Sequence, residues 1–148
     1  MQLSPALVPA ALALTLAAPA SPRADLAYHG AITMARDRVS VAVTPQNHGP
    51  SDVPDATVRL TWSTRLADTQ TLPAPCVRTG DRAVVCRTGA LPAAGLGDPF
   101  TVDVRLVTAP TEVTVRLDTA FGSGTVDHNP ENNRHRVLVL DTGDTYYF

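Results

Sequence analysis

Apolar and polar side chains alternate with a period of two along most of this chain, and that restricts its fold more than any other feature. Val39, Val41 and Val43 alternate with Ser40, Ala42 and Thr44; Val58, Leu60 and Trp62 alternate with Arg59, Thr61 and Ser63. The pattern returns at Val102, Val104 and Leu106 and again at Val113, Val115 and Leu117, while Val137 to Leu140 is apolar on both faces. Successive side chains of a strand point to opposite sides, so each run buries one face and wets the other. Beyond the first twenty residues no 3.6-residue period competes with it. Turn formers separate the runs at Gln46–Asp52, Thr79–Asp81, Pro92–Gly97, Gly122–Gly124 and Asp127–Asn133. Seven or eight strands so spaced need two packed sheets, because a single open sheet leaves an apolar face in water. Trp62 and the alternating Val and Leu faces are the expected core, and Asp25 to Met34 the expected first, edge strand.

The amino-terminal stretch belongs outside that core. Pro5 to Ala18 carries no charge and is mostly small and apolar, and Ala18-Pro19-Ala20 has the small-x-small form that signal peptidase accepts. Residues 1–20 therefore read as a signal peptide cleaved after Ala20, with Ala24 as a second candidate, although no Lys or Arg precedes the apolar run. The run falls short of the ~20 residues that span a bilayer, and its prolines interrupt it further. The mature chain is expected to be secreted or held at the cell surface, with no stable membrane insertion.

Cys76 and Cys86 stand symmetrically about Thr79-Gly80-Asp81. Pairing across that turn puts Cys76 opposite Cys86 and Arg78 opposite Val84, within the separation a disulfide needs. A redox pair favours Cys-x-x-Cys spacing at a helix start, and a zinc site wants four ligands; neither is offered. A structural disulfide in an exported chain is the expectation.

Net charge is −2, and all 12 basic residues are arginines set singly among the acids. A nucleic-acid partner calls for a basic stripe that displaces counterions, and a membrane surface for a polybasic run; both classes are disfavoured.

Taken in order, several turns resemble a known family. Ala24-Asp25-Leu26, then Asn47-His48-Gly49-Pro50-Ser51-Asp52, the cysteine hairpin followed by Gly89-Ala90-Leu91-Pro92-Ala93-Ala94-Gly95, and Asp127-His128-Asn129-Pro130-Glu131-Asn132-Asn133 are similar to the bacterial extracellular conserved-repeat domain (domain of unknown function eleven). The similarity runs from about residue 24 to 141 and leaves 142–148 as an aromatic tail. It implies an immunoglobulin-like sandwich serving as a spacer or adhesive module, without catalytic residues. Members usually occur in tandem, whereas this chain holds one copy, and Ala35-Arg36-Asp37 replaces the usual Pro-Gly-Asp.

Other constellations reduce to turns or tails. Asp141-Thr142-Gly143 mimics an aspartic-protease signature but has no second copy to share a proton. Asp127, Asn129 and Glu131 are spaced like the first ligands of a calcium loop, yet Asn132 and Leu138 occupy the places of the required Gly and bidentate Glu. His29, His48, His128 and His135 show no metal spacing, and Ser123 lacks a nucleophile elbow. Tyr146-Tyr147-Phe148 either folds back on an apolar patch or adds to the sheet edge of another chain. The expected function is a non-enzymatic interaction module with no cofactor, engaging an extracellular or cell-envelope protein or glycan. A small secreted enzyme or inhibitor, or a calcium-stabilised surface domain, is the alternative.

Overall fold

The computed structural model describes residues 18–148, so most of the expected signal peptide, residues 1–20, lies outside the described residues. The short strands β1 (Arg23–Ala24), β7 (Gly95–Leu96), β10 (Val126–Asp127) and β12 (Thr145–Tyr147) accompany eight longer ones. These are β2 (Leu26–Ala35), β3 (Arg38–Asn47), β4 (Thr57–Trp62), β5 (Cys76–Gly80), β6 (Ala83–Arg87), β8 (Phe100–Arg105), β9 (Glu112–Phe121) and β11 (His135–Leu140). One sheet runs β11-β9-β4-β6-β5. The other runs β12-β2-β3, with β7 and β8 sharing the far side of β3. No helix occurs among the described residues. The fold is an immunoglobulin-like antiparallel β-sandwich, with β4, β9 and β11 facing β2, β3 and β8.

The alternating residues do what their period requires. Val39, Val41, Val43, Val58, Leu60, Trp62, Val102, Val104, Val113, Val115 and Leu117 are buried in one inter-sheet cluster with Tyr28, Ile32 and Met34. Within β11 only Val137 and Val139 turn toward that cluster. Leu138 and Leu140 stand 51% and 40% exposed, because nothing covers the outer face of this edge strand. The structure corrects the place of Asp25–Met34: β2 is an inner strand, flanked by β3 and by β12 at the carboxyl end. Three residues were too short a run to announce a strand by their pattern.

The hairpin pairs as its turn dictates, with Cys76 opposite Cys86, joined by a disulfide, and Arg78 opposite Val84. The bridge staples β5 to β6 within one sheet and does not cross between sheets. Replacing both cysteines by serine is expected to lower unfolding free energy by about 2–3 kcal/mol, the chain-entropy value for so short a loop. Urea denaturation of the variant measures it, and an unchanged midpoint would mean that β5 and β6 hold without the staple.

Candidate interaction surfaces

Three turn segments distant in sequence meet at one pole around Ala24–Leu26. Asn47, at the end of β3, is fully buried. Its Oδ1 accepts from the amides of Gly49 (2.9 Å) and Asp25 (3.3 Å). Its Nδ2 donates to the carbonyls of Ser51 (2.8 Å) and Leu91 (3.4 Å). All four bonds available to a side-chain amide are thus made. Gly49 presses on the Ala24–Asp25 backbone, and a Cβ there would lie 2.6 Å from Ala24 Cα, so only glycine fits. Asp52 Oδ1 receives the Ala93 amide at 2.7 Å, and Val53 and Leu91 exchange backbone hydrogen bonds of 2.9 and 2.8 Å. Ala24, Leu26, Val53, Ala56 and Leu91 form a small second core beneath.

The loop with the calcium-like spacing closes the same pole. β10 pairs in parallel with β1, and Asn132 Nδ2 donates to Asp25 Oδ1 at 2.7 Å. Asp127 spends both carboxylate oxygens inside the loop, accepting from the Asn129 amide and from Asn133 Nδ2. Asn129 lies exposed on the same loop, and Glu131 faces Arg134 at 3.7 Å with its side chain 81% exposed. The spacing therefore brings these three onto one loop without turning them toward a common point. Among the described residues no group of three or more His, Cys, Asp or Glu is arranged to hold a metal.

The aromatic tail pairs in cis. Thr145, Tyr146 and Tyr147 lie opposite Thr33, Ile32 and Ala31, and Phe148 and Gly30 exchange two backbone hydrogen bonds of 3.1 Å. A Cβ on Gly30 would meet the Ala42 carbonyl and the Phe148 ring, so glycine opens the space the ring uses. Phe148 tilts against His135 at 5.0 Å between centroids, closing the gap between the two sheets' edges. Asp141-Thr142-Gly143 is the turn that carries the chain from β11 to β12. There Asp141 accepts the Arg36 amide, and Gly143 takes the left-handed φ of +77°. Ser123 Oγ donates to the Asp55 carbonyl, and His128 meets the Arg23 guanidinium.

Burial of the His135 ring pushes its pKa below the ordinary imidazole value, against the opposing pull of the Asn132 and Tyr28 carbonyls. The unfolded chain takes up this proton near pH 6.5 while the folded chain resists until lower pH. Stability from this group is complete above about pH 7 and declines as pH falls through about 6.5 toward the folded value. His135→Gln is expected to flatten the fall of Tm between about pH 7 and pH 5.5; an identical slope in both proteins would assign it to other groups.

The edge strands are β5 and β11 in one sheet and β12 and β8 in the other. Val77 (57% exposed), Leu138, Leu140 and Tyr147 (80%) stand on them. Sequence reasoning missed one further feature. Arg82, Arg116 and Arg136, far apart in the chain, share one shallow depression on the outer face of the β11-β9-β4 sheet. The only signal was positional: Arg59, Thr61, Arg116 and Arg136 each occupy the outward slot of an alternating run.

No family model matches the chain, and no curated protein matches it. Solved structures similar to it include two chains of a GH20 exo-β-N-acetylglucosaminidase from Vibrio harveyi, one in complex with N-acetylglucosamine and one an inactive mutant. Identities are 14% and 13%, with TM-scores of 0.35 and 0.36. Each match covers 82% of this chain and 18% of the other.

Proposed function

We propose that this chain is a secreted, non-enzymatic interaction module of the extracellular conserved-repeat type. It engages an extracellular or cell-envelope protein or glycan through its strand edges and exposed loops. The observation that carries this reading is the exposure of large apolar side chains on three edge strands. Leu138 and Leu140 stand on β11, Val77 on β5 and Tyr147 on β12. Unpaired edge strands are templates for a partner's backbone, and exposed side chains beside them supply selectivity. The Cys76–Cys86 disulfide supports an oxidising compartment, since reducing cytosol works against such a bridge. The Asn47–Asp52, Gly89–Gly95 and Asp127–Asn133 segments, which resemble the repeat family, meet at one pole with Ala24–Leu26. There Asn47, Asp52 and Asp127 spend their polar groups on internal hydrogen bonds, which fits a scaffold role for that pole.

Co-sedimentation with cell envelopes tests the proposal. Leu138→Lys together with Leu140→Lys, both at exposed positions, is expected to cut envelope retention by about tenfold while leaving Tm within a few degrees. Retention equal to the parent's, with Val77→Lys and Tyr147→Ser also without effect, would overturn the edge-binding reading.

A further inference from the structure

The outer face of the β11-β9-β4 sheet gathers positive charge that the linear sequence disperses. Arg116 lies directly opposite Thr61 on β4 and opposite Arg136 on β11, so two guanidiniums face each other across one strand pair. Arg82, from the β5–β6 turn, completes a depression of about 230 Å³ whose floor includes Thr61, Ser63 and Thr114. Among the described residues Arg82, Arg116 and Arg136 make no ion pair and no side-chain hydrogen bond. Like charges set opposite on neighbouring strands repel, and among the described residues no acid forms an ion pair with them.

A second depression continues from the first, sharing Thr61 and Arg116 and adding Arg59, Asp118, Arg134 and His135. Arg59 is held by Asp118 through two hydrogen bonds. Arg134 reaches Glu131 only at 3.7 Å, with both side chains well exposed, a pairing of little strength. The two depressions together present five guanidiniums against one carboxylate, on a chain whose net charge is −2.

We infer that this face binds an anionic linear polysaccharide, whose sulfate or carboxylate groups seat among Arg82, Arg116 and Arg136. The guanidinium fork matches both oxyanions. Continuity of the two depressions suits a polymer better than a single small anion. Backbone groups of β4 and β9 are already paired on both sides, so recognition here is by side chains, unlike a peptide added at an edge. A single-stranded nucleic acid fits less well, because the sole aromatic of the first depression, Trp62, is 1% exposed and offers no face on which a base could stack. The inference rests on reading the chain as a binding module and names a ligand class for it.

Heparin and alginate serve as sulfated and carboxylated probes, with neutral dextran and single-stranded DNA beside them. The purified protein is expected to bind heparin, alginate or both at about 0.15 M salt, and not dextran. Arg116→Gln with Arg136→Gln should weaken that binding about tenfold or more and reduce the slope of log affinity against log salt by about two. Arg36→Gln with Arg38→Gln, which removes the same charge from the other sheet, should change it less than about twofold. Equal weakening by both pairs, no binding of either polyanion, or DNA bound as tightly as the glycans would overturn the inference. The side chains removed have no internal partners, so Tm should not fall; Arg82→Gln alone provides a second variant. Envelope retention that depends on Leu138 and Leu140 without any polyanion binding would sink this inference and leave the edge-binding reading standing.

Discussion

Trp62→Ala is expected to lower the unfolding free energy by about 4 kcal/mol, within the ~3–5 kcal/mol range for removing a large aromatic from a core. Trp62 is the largest fully buried side chain and closes the alternating run of β4, opposite Val115 on β9. Its cluster includes Tyr28, Leu60 and Val115, and no second tryptophan could take over its volume. A domain of this size is stable by only ~5–15 kcal/mol, so the loss consumes a large share. Trp62→Phe should cost much less, about 1–2 kcal/mol. It keeps an aromatic in place and removes an indole N–H that is buried without a hydrogen-bond partner. Chemical denaturation of the two variants gives the comparison, and equal losses would mean that ring volume does not govern the site.

Asn47→Ala should be the second most damaging change, at about 3 kcal/mol. The side chain supports four hydrogen bonds, and its loss takes away the acceptor of the buried Gly49 amide and of the part-buried Asp25 amide, neither of which has another partner among the described residues. An unsatisfied buried donor costs ~1–3 kcal/mol. The damage has an address as well as a size. Amide exchange should accelerate at Asp25, Gly49 and Leu91, where β1, the Gly49 turn and the Leu91 corner meet, while β4 and β9 remain protected. Asn47→Asp tests the donors separately, since it keeps both acceptor bonds but loses the hydrogens given to Ser51 and Leu91. Uniform acceleration across both sheets would show that the pole is not an independent unit.

The strands that could be read from the chain were those with enough residues to express a period. In β4 and β8, and over Val39–Val43 of β3 and Val113–Leu117 of β9, every second residue is apolar, so a one-residue slip would turn the whole buried set into solvent, and that fixes register as well as identity. The cysteine hairpin was legible for a related reason: its turn dictates which residues oppose. The carboxyl-terminal strand had neither advantage. Tyr146 and Tyr147 make too short a run, and what holds Phe148 is a glycine more than a hundred positions earlier, a pairing no local pattern encodes. Arg82, Arg116 and Arg136 are not legible as a cluster because the linear order disperses their charge, whereas the sheet sets residues of different strands side by side. The calcium-like loop shows the reverse error: regular spacing of Asp127, Asn129 and Glu131 says where side chains start and not where they point.

Strand β12 has a mechanical consequence. It lies antiparallel to β2, so the chain leaves Phe148 beside Gly30 and enters β2 at Leu26, only a few residues away along the same strand. Tension applied between Leu26 and Phe148 would therefore open β12 from β2 rung by rung, beginning at Phe148, as a zipper opens, instead of loading all of their hydrogen bonds together in shear. The Cys76–Cys86 link lies outside that force path and resists none of it. Pulled across Leu26 and Phe148, this sandwich would give way at β12 while the disulfide-stapled hairpin carried no load.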